Sequence, residues 1–281
     1  MNTSGERMLR ANGVDLCVET FGDPADPAVL LIHGACASML YWEEELCRRI
    51  ARGGRYVIRF DNRDTGLSVA YPPGAPGYSM RDLAADAVGI LDALGVDRAH
   101  VVGRSMSGGT AVIAALDHPG RVASLTLVTT TPGDGDLPPM SAEFLRYTGS
   151  GGPDPTDPTA VVNFVVGLVR AYGGGSGHFD EPAVRAVAER DVARTRNIAS
   201  CLTNHFIMDL AGPVHGGLGD IDVPTLVVHG ELDPVFPLPH GEALRRAVPG
   251  AELLVLAGAG HELPPPTWDV FVPALLAHTA R

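Results

Sequence analysis

The chain has 281 residues, of which 45% are hydrophobic and 19% charged, and this excludes a disordered tail or a disulfide miniprotein. Its 33 acidic residues exceed its 21 basic ones, so the formal net charge of −12 disfavours a nucleic-acid partner. The four cysteines form no CxxC pair, and no apolar run approaches the roughly 18 residues of a membrane helix. We therefore expect a cytoplasmic protein with no membrane partner and no metal site.

Short apolar strands alternate with amphipathic helices along the first 131 residues. Strands are predicted at Val14–Phe21, Ala28–Ile32, Tyr56–Phe60, Ala99–Gly103 and Val122–Thr129, and helices at Tyr41–Ala51, Met80–Leu94 and Met106–Asp117. Strands and helices that alternate in this way predict an α/β fold, with a mostly parallel sheet covered by helices on both faces.

This alternation stops at residue 131 and resumes after residue 220. Between these points, loops rich in glycine and proline separate helices predicted at Thr159–Ala171, Glu181–Thr195 and Ile198–Leu210. Strands at Pro224–His229 and Ala251–Leu256 then alternate with helices at His240–Val248 and Pro266–Thr279. We predict a core of residues 1–131 and 221–281, interrupted by a helical cap over 132–220. Glycine runs at 149–152 and 173–177 indicate hinges that would let this cap move.

The sequence VVGRSMSGG, at Val101–Gly109, has the most specific chemical pattern in the chain. An apolar strand leads into Ser105 and a helix follows, so Ser105 is predicted on a sharp turn that exposes its hydroxyl as a nucleophile. Gly103 is the small residue that such a turn requires two positions earlier, and Ser107 replaces the usual glycine two positions later. A second register, with Ser107 as the nucleophile, stays open and requires the strand to continue through Arg104.

Two backbone N–H groups are candidates for an oxyanion hole. The sequence His33-Gly34-Ala35 directly follows a predicted buried strand, and the loop at this position donates one N–H, here from Ala35. The other donor is Met106, the residue after the nucleophile. The alternative interpretation of the His-Gly pair is a tight turn without a catalytic role.

Two later loops contain a candidate acid and a candidate base. Asp233 follows a predicted strand and is suited to orient a histidine, with Glu231 as the alternative acid. His261 follows a strand and a glycine-rich turn, and it is the predicted general base. The chain order Ser105, Asp233, His261 is that of the α/β-hydrolase fold and differs from the orders in chymotrypsin and subtilisin.

With these motifs the chain resembles the α/β-hydrolases and, more narrowly, the anthracycline methylesterases of the aclacinomycin methylesterase type. The resemblance lies in FGDPADPA, VIRFDNRDTGLS, LAADAVGILDALGVDRAHVVGRSM, VPTLVVHGELDP and GAGHELP, within residues 14–131 and 222–280. It implies an α/β-hydrolase fold and cofactor-free hydrolysis of a methyl ester on an aromatic polyketide. It also implies Ser105, Asp233 and His261 as the catalytic triad and Ala35 and Met106 as the oxyanion hole.

Apolar and aromatic side chains of the predicted cap are candidates for a substrate pocket. They are Phe164, Tyr172, His205, Phe206 and Met208. The alternative is that the same side chains form the core of the cap itself.

Two further groups of residues have a structural interpretation. Cys36, beside the oxyanion loop, is interpreted as a small pocket wall rather than a reactive thiol. Asp61, Arg63 and Ser68 are interpreted as an ion-paired loop that braces the sheet edge, with a direct role in substrate binding as the alternative.

We predict a serine carboxylic-ester hydrolase that acts through an acyl-enzyme on a small-molecule ester. Its substrate is predicted to be a methyl ester of an aromatic polyketide or a similar small apolar natural product. The alternatives are other reactions of the same triad, namely C–C bond hydrolysis, lactone opening or cofactor-free perhydrolysis, and a non-catalytic ligand-binding receptor. A serine at position 105 disfavours epoxide hydrolases and haloalkane dehalogenases, whose turn has an aspartate there.

Overall fold

A computed structural model describes residues 5–133 and 135–280, and within them eight strands form one sheet. The strands are β1 (Arg7–Ala11), β2 (Val14–Phe21), β3 (Ala28–Ile32), β4 (Tyr56–Phe60), β5 (Ala99–Arg104), β6 (Val122–Val128), β7 (Thr225–Gly230) and β8 (Glu252–Leu256). Their order across the sheet is β1-β2-β4-β3-β5-β6-β7-β8. The β1–β2 and β2–β4 pairs are antiparallel and the other pairs are parallel, so the sheet is mostly parallel, as predicted.

Helices cover both faces of this sheet. They are α1 (Glu44–Arg52), α2 (Met80–Leu94), α3 (Met106–Asp117), α4 (Ala142–Thr148), α5 (Pro158–Tyr172), α6 (Glu181–Arg194), α7 (Ile198–Thr203), α8 (Pro239–Ala247) and α9 (Trp268–His278). Successive side chains of a strand point to opposite faces, so Leu30 and Ile32 of β3 join the hydrophobic cluster with α2, α3 and α8. Val29 and Leu31 join the cluster with α1 and α9 on the other face.

The bounds of α2 follow from its local sequence. At its start the Ser79 side chain accepts a hydrogen bond from the Asp82 N–H, and the Asp82 carboxylate accepts from the Ser79 N–H at 2.8 Å. At its end Gly95 adopts φ +70°, a left-handed conformation that glycine takes without steric cost. The helix predicted at Met80–Leu94 is confirmed at both ends.

Between β6 and β7 the chain forms helices instead of further strands, which places α4 to α7 in the predicted cap segment. Val162 and Val166 of α5 pack with Ala188 of α6 in a small separate hydrophobic cluster. The division into a core of residues 1–131 and 221–281 and a cap of 132–220 stays a prediction.

Several elements differ from the sequence prediction. The edge strand β1 and the helix α4 were not predicted, because β1 is short and partly exposed and α4 has only seven residues. The helix predicted at Ile198–Leu210 ends as an α-helix at Thr203 and continues as a single 3-10 turn. Among the described residues, each helix is too short or too polar to span a bilayer.

Candidate active site

Ser105 occupies the turn between β5 and α3. It has φ +53° and ψ −124°, an unusual conformation for a non-glycine residue. A Cβ atom on Gly103 would overlap the carbonyl oxygen of Ser107, so the turn requires glycine at this position. Strand β5 does continue through Arg104, yet Ser107 lies inside the first turn of α3 with its side chain fully buried. The geometry therefore favours Ser105 over the second register.

Ser105, His261 and Asp233 form a continuous hydrogen-bonded chain. His261 Nε2 lies 2.9 Å from Ser105 Oγ, and His261 Nδ1 lies 2.9 Å from Asp233 Oδ2. An ionised carboxylate only accepts hydrogen bonds, so the imidazole Nδ1 holds the proton and the Nε2 lone pair faces the serine hydroxyl. This arrangement allows the histidine to take the hydroxyl proton when the serine attacks a carbonyl carbon.

The carboxylate of Asp233 is buried and held from two sides. Its Oδ1 accepts hydrogen bonds from the N–H groups of Val235 and Phe236 at 2.8 and 2.9 Å. Burial opposes its ionisation, but the charge and the hydrogen bond of His261, with smaller contributions from nearby groups, lower the pKa of Asp233 below its ordinary value. The alternative acid, Glu231, accepts a hydrogen bond from the Gly258 N–H on the exposed side of the loop.

The backbone of His261 is fixed at both its N–H and its carbonyl. Its N–H donates to the carbonyl of Tyr172 at 2.8 Å, and its carbonyl accepts from Arg104 Nη2 at 2.8 Å. The rings of Tyr172 and Phe236 lie 5.0 and 5.6 Å from the imidazole, centroid to centroid. Aromatic rings thus shield one side of the histidine from water.

The loop after β3 lies directly against the serine. A Cβ atom on Gly34 would stand 2.9 Å from Ser105 Cβ and 3.2 Å from the carbonyl oxygen of Arg104, so this position also requires glycine. Ala35 directly follows the glycine that makes this contact, and Met106 begins α3, where the helix dipole favours negative charge. The oxyanion roles of Ala35 and Met106 stay predictions.

Comparison with known proteins agrees with this architecture. Residues 27–153 match a family model described as the alpha/beta hydrolase fold, and residues 192–267 match one described as TAP-like protein. Rhodomycin D methylesterase DauP from a Streptomyces species (strain C5) is 31% identical, with 97% of each chain covered.

The chain belongs to the α/β-hydrolase family. A hydrolase named for 2-hydroxy-6-oxononadienedioate and 2-hydroxy-6-oxononatrienedioate, from Dechloromonas aromatica, is 28% identical over 83% of this chain and 80% of its own length. Among solved structures, the meta-cleavage product hydrolase CumD from Pseudomonas fluorescens IP01 superposes with a TM-score of 0.77 at 21% identity, covering 98% of this chain and 97% of that chain. The predicted fold class is therefore confirmed.

The residues predicted to line the pocket of this α/β-hydrolase do not form one cluster, and each has its own contacts. Tyr172 stacks on Phe144 at 5.4 Å between ring centroids and contacts the His261 ring. Phe164 stacks on Tyr147 at 5.7 Å between the helices α4 and α5. His205 is buried and reaches the loop after β3.

Phe206 and Met208 differ from each other in exposure. Phe206 is 71% exposed and is the last residue of the 3-10 turn Asn204–Phe206. Met208 is buried in the main hydrophobic cluster with Tyr78 and Met80. The predicted role of Phe206 and Met208 as pocket walls stays a prediction.

Arg104 is the site residue that the sequence analysis missed. Its Nη1 lies 2.8 Å from His33 Nε2, its Nη2 donates to the His261 carbonyl, and Glu262 lies 3.6 Å away. Arginine only donates hydrogen bonds, so His33 Nε2 accepts, and burial followed by the charge of Arg104 lowers the pKa of His33. An arginine at the end of a buried strand was the available signal, because a buried charge requires partners.

The loop at Asp61, Arg63 and Ser68 has the structural role predicted for it. Asp61 forms an ion pair with Arg194 of α6 at 2.9 Å, and Arg63 forms a two-point ion pair with Asp86 of α2. The Ser68 hydroxyl donates to the Asp61 carbonyl at 2.6 Å. Among the described residues, no group of three or more His, Cys, Asp or Glu is arranged to hold a metal ion.

A mainly apolar cavity of about 110 Å³ adjoins the histidine loop. Residues of α5 and α6 and the segment after His261 line it, together with Arg104 and Glu262. Its apolar walls include Val169, Phe179, Val184, Val187 and Leu263.

Proposed function

We propose that this α/β-hydrolase cleaves a carboxylic ester with Ser105 as nucleophile, His261 as general base and Asp233 as the acid that orients the base. The observation that carries the proposal is the pair of 2.9 Å hydrogen bonds that link Ser105 to His261 and His261 to Asp233. Two curated relatives that match nearly the whole chain are named as methylesterases, which supports ester chemistry over other reactions of the fold.

The reaction proceeds in two halves. His261 Nε2 takes the proton of the Ser105 hydroxyl as Oγ attacks the ester carbonyl, and the N–H groups of Ala35 and Met106 stabilise the oxyanion, each by about 3–4 kcal/mol. Asp233 stabilises the imidazolium, which then protonates the departing alcohol. A water molecule that gives its proton to His261 hydrolyses the acyl-enzyme, releasing the acid and restoring Ser105.

The relatives and the aromatic side chains near His261 support a substrate class. Rhodomycin D methylesterases match 97% of the chain at 31% identity, and we assign a methyl ester of an aromatic polyketide, or of a similar small apolar natural product, to the site. The rings of Tyr172 and Phe236 beside His261 suit an aromatic group.

The helices between residues 132 and 220 are proposed as a cap over this site. The carbonyl of Tyr172, at the end of α5, accepts the His261 N–H, and Arg194 of α6 pairs with Asp61. Both contacts join this segment to loops at the carboxyl ends of core strands, where open α/β sheets bind their ligands.

C–C bond hydrolysis is the second candidate. A relative that is 28% identical over 83% of the chain is named as a hydrolase of 2-hydroxy-6-oxo dienedioates. These compounds contain no ester, so their hydrolysis breaks a C–C bond. The same serine, histidine and aspartate would serve both reactions, and the products distinguish them.

Labelling with a small fluorophosphonate, followed by peptide mass spectrometry, tests the nucleophile. We expect one adduct on Ser105 in the wild type, and loss of the adduct in His261→Ala and Ser105→Ala, with circular dichroism showing that both variants fold. An adduct on Ser107 contradicts the assignment. The absence of any adduct and of any turnover favours the non-catalytic receptor.

Product analysis then tests the reaction. Aromatic methyl esters of increasing ring number are incubated with the wild type and with Ser105→Ala, and methanol release is measured. Methanol release by the wild type and not by the variant supports the methylesterase. Turnover of a 2-hydroxy-6-oxo dienoate with none of the esters would favour C–C hydrolysis instead.

A further inference from the structure

His205 lies outside the triad but contacts the loop that is proposed to donate to the oxyanion. It belongs to the 3-10 turn after α7 and is only 2% exposed. Its Nδ1 accepts a hydrogen bond from the N–H of Cys36 at 3.1 Å, and its Nε2 lies 2.9 Å from the carbonyl oxygen of Arg63. The imidazole therefore bridges the oxyanion loop and the loop after β4.

The two contacts determine the tautomer of this histidine. The Cys36 N–H only donates, so Nδ1 must be unprotonated, and the Arg63 carbonyl only accepts, so Nε2 must hold the proton. A neutral imidazole with the proton on Nε2 satisfies both partners. A side chain without an acceptor at the Nδ1 position leaves the Cys36 N–H unpaired.

The loop requires such an anchor at Cys36. This residue has φ +58°, in the left-handed region that a residue with a Cβ atom adopts only at a cost. The bond to His205 holds the Ala35–Cys36 peptide in this conformation, and the preceding peptide presents the Ala35 N–H. It also withdraws the Cys36 N–H from the site, which leaves Ala35 as the donor of this loop.

The anchor itself is fixed by a buried polar cluster. The ring of Tyr78 lies edge-on to His205 at 6.4 Å between centroids, and its hydroxyl donates to Asp64 at 2.7 Å. The neighbouring Asn204 donates to the same carboxylate at 2.9 Å. His205 thus has little freedom to follow a displaced loop.

We propose that His205 is a positioning residue that aims the Ala35 N–H at the oxyanion by holding the Cys36 N–H. This inference rests on the proposed function, because it assigns His205 a task only in a reaction that forms an oxyanion. A displaced donor weakens binding of the transition state more than binding of the substrate, so the effect is expected in kcat rather than in KM.

Three substitutions separate positioning from simple support of the fold. Asparagine at 205 provides an acceptor near the position of Nδ1, glutamine provides a donor near the position of Nε2, and leucine provides neither. We expect His205→Leu to lower kcat for an aryl methyl ester by about 30-fold, somewhat less than complete loss of one oxyanion donor, with KM within threefold. The kcat of His205→Asn is expected to be at least fivefold higher than that of His205→Leu. The kcat of His205→Gln is expected to stay close to that of His205→Leu.

Ile207→Ala is the matched control, because it alters an exposed side chain two residues away. It is expected to retain wild-type kcat. Equal kcat in His205→Asn and His205→Gln would overturn the inference, as would a His205→Leu variant with wild-type kcat. If His205→Leu does not fold, the comparison of kcat between His205→Asn and His205→Gln still tests the inference.

Hydrogen exchange of the segment 33–38 provides a readout that does not depend on turnover. We expect faster exchange in His205→Gln than in the wild type and in His205→Asn. Unchanged exchange in His205→Gln overturns the inference even if no ester is hydrolysed. A wild type that neither reacts with fluorophosphonate nor hydrolyses esters refutes the proposed function instead, so the two failures are distinguishable.

Discussion

The hydroxyl of Ser107 donates a 2.6 Å hydrogen bond to the carbonyl oxygen of His33. This bond joins the first turn of α3 to the loop after β3, and Asn62 donates to the same carbonyl at 2.9 Å. Ser107, where the usual sequence of this turn has a glycine, therefore forms a buried link between α3 and the loop after β3.

Ser107→Ala is expected to lower the free energy of unfolding by about 1 kcal/mol, since it removes one buried hydrogen bond while Asn62 still satisfies the His33 carbonyl. A decrease of a few-fold in kcat is expected from the looser loop. Urea unfolding and ester hydrolysis measure the two effects. The control Ser150→Ala removes an exposed hydroxyl and should change stability by less than about 0.5 kcal/mol. A Ser107→Ala variant as stable as this control would contradict the interpretation.

Arg104→Met is expected to destabilise the fold by about 3 kcal/mol and to lower kcat more than tenfold. The substitution leaves Glu262 without its cation and removes the donor to the His261 carbonyl. Arg104→Lys keeps the charge but lacks the planar group that reaches His33 and His261 together, so kcat should still fall. The control is Arg48→Met, at an exposed position, which is expected to lower the free energy of unfolding by less than about 1 kcal/mol. Thermal unfolding measures the stability of these variants, and kinetics with one ester measure their kcat. A fully active Arg104→Lys variant would show that a positive charge at position 104 is sufficient for activity.

Gly174→Ala tests how the end of α5 docks on the site. Gly174 has φ +60°, and a Cβ atom there would overlap the carbonyl oxygen of Leu232, one residue before Asp233. Gly175 has φ +89° but no atom within contact distance of such a Cβ, so Gly175→Ala introduces backbone strain alone. We expect the free energy of unfolding to fall by more than about 2 kcal/mol in Gly174→Ala and by about 1 kcal/mol in Gly175→Ala. Equal decreases in the free energy of unfolding of the two variants, measured by urea unfolding, would show that the segment after α5 moves away from Leu232, as a hinge would.

The stability of Asp191→Asn should depend on pH in a defined direction. Burial raises the pKa of this carboxyl from 3.8 to about 6, against hydrogen bonds from Ser38. A folded-state pKa above the unfolded value means that the folded protein binds the proton more tightly between about pH 4 and 6. The carboxyl's contribution to stability is therefore present below pH 4 and lost as the pH rises through 6.

Relative to wild type, the free energy of unfolding of Asp191→Asn should thus rise by up to about 3 kcal/mol between pH 4 and 7. Urea unfolding at both pH values measures it. The control Asp222→Asn replaces an exposed carboxylate and is expected to follow the wild type at both. A constant difference between Asp191→Asn and wild type would contradict the assignment.

The four cysteines should resist alkylation in the folded protein. Burial raises the pKa of the Cys17, Cys36 and Cys47 thiols to about 12 and that of Cys201 well above its ordinary value. At pH 8 roughly one thiol in ten thousand is then the reactive thiolate. Iodoacetamide followed by mass spectrometry should modify none of them in the native state and all four in urea. Rapid native labelling of Cys36 would show a reactive thiol rather than a wall of the site.

Local sequence determined the elements whose signals lie close together in the chain. The capping box at Ser79 and Asp82 and the glycine at 95 define α2, and the buried runs of β3 to β7 predict parallel strands. The order of Ser105, Asp233 and His261 predicted the residues that the fold joins by hydrogen bonds, because the turn chemistry around each residue is local.

Contacts between distant segments were decided only by the tertiary structure. His205 and Cys36 are 169 positions apart, and Arg104 and His261 are 157 apart, so neither pair leaves a pattern of spacing in the chain. The exposure of Phe206 and the burial of Met208 likewise depend on how the chain leaves α7. The sequence by itself determined most of the strands and helices and the residues at the turns, since these follow from neighbouring side chains, whereas β1, α4 and the end of α7 were not predicted. The packing of helices α4 to α7 and of the loops around the serine depends on surfaces that meet only once the sheet has formed.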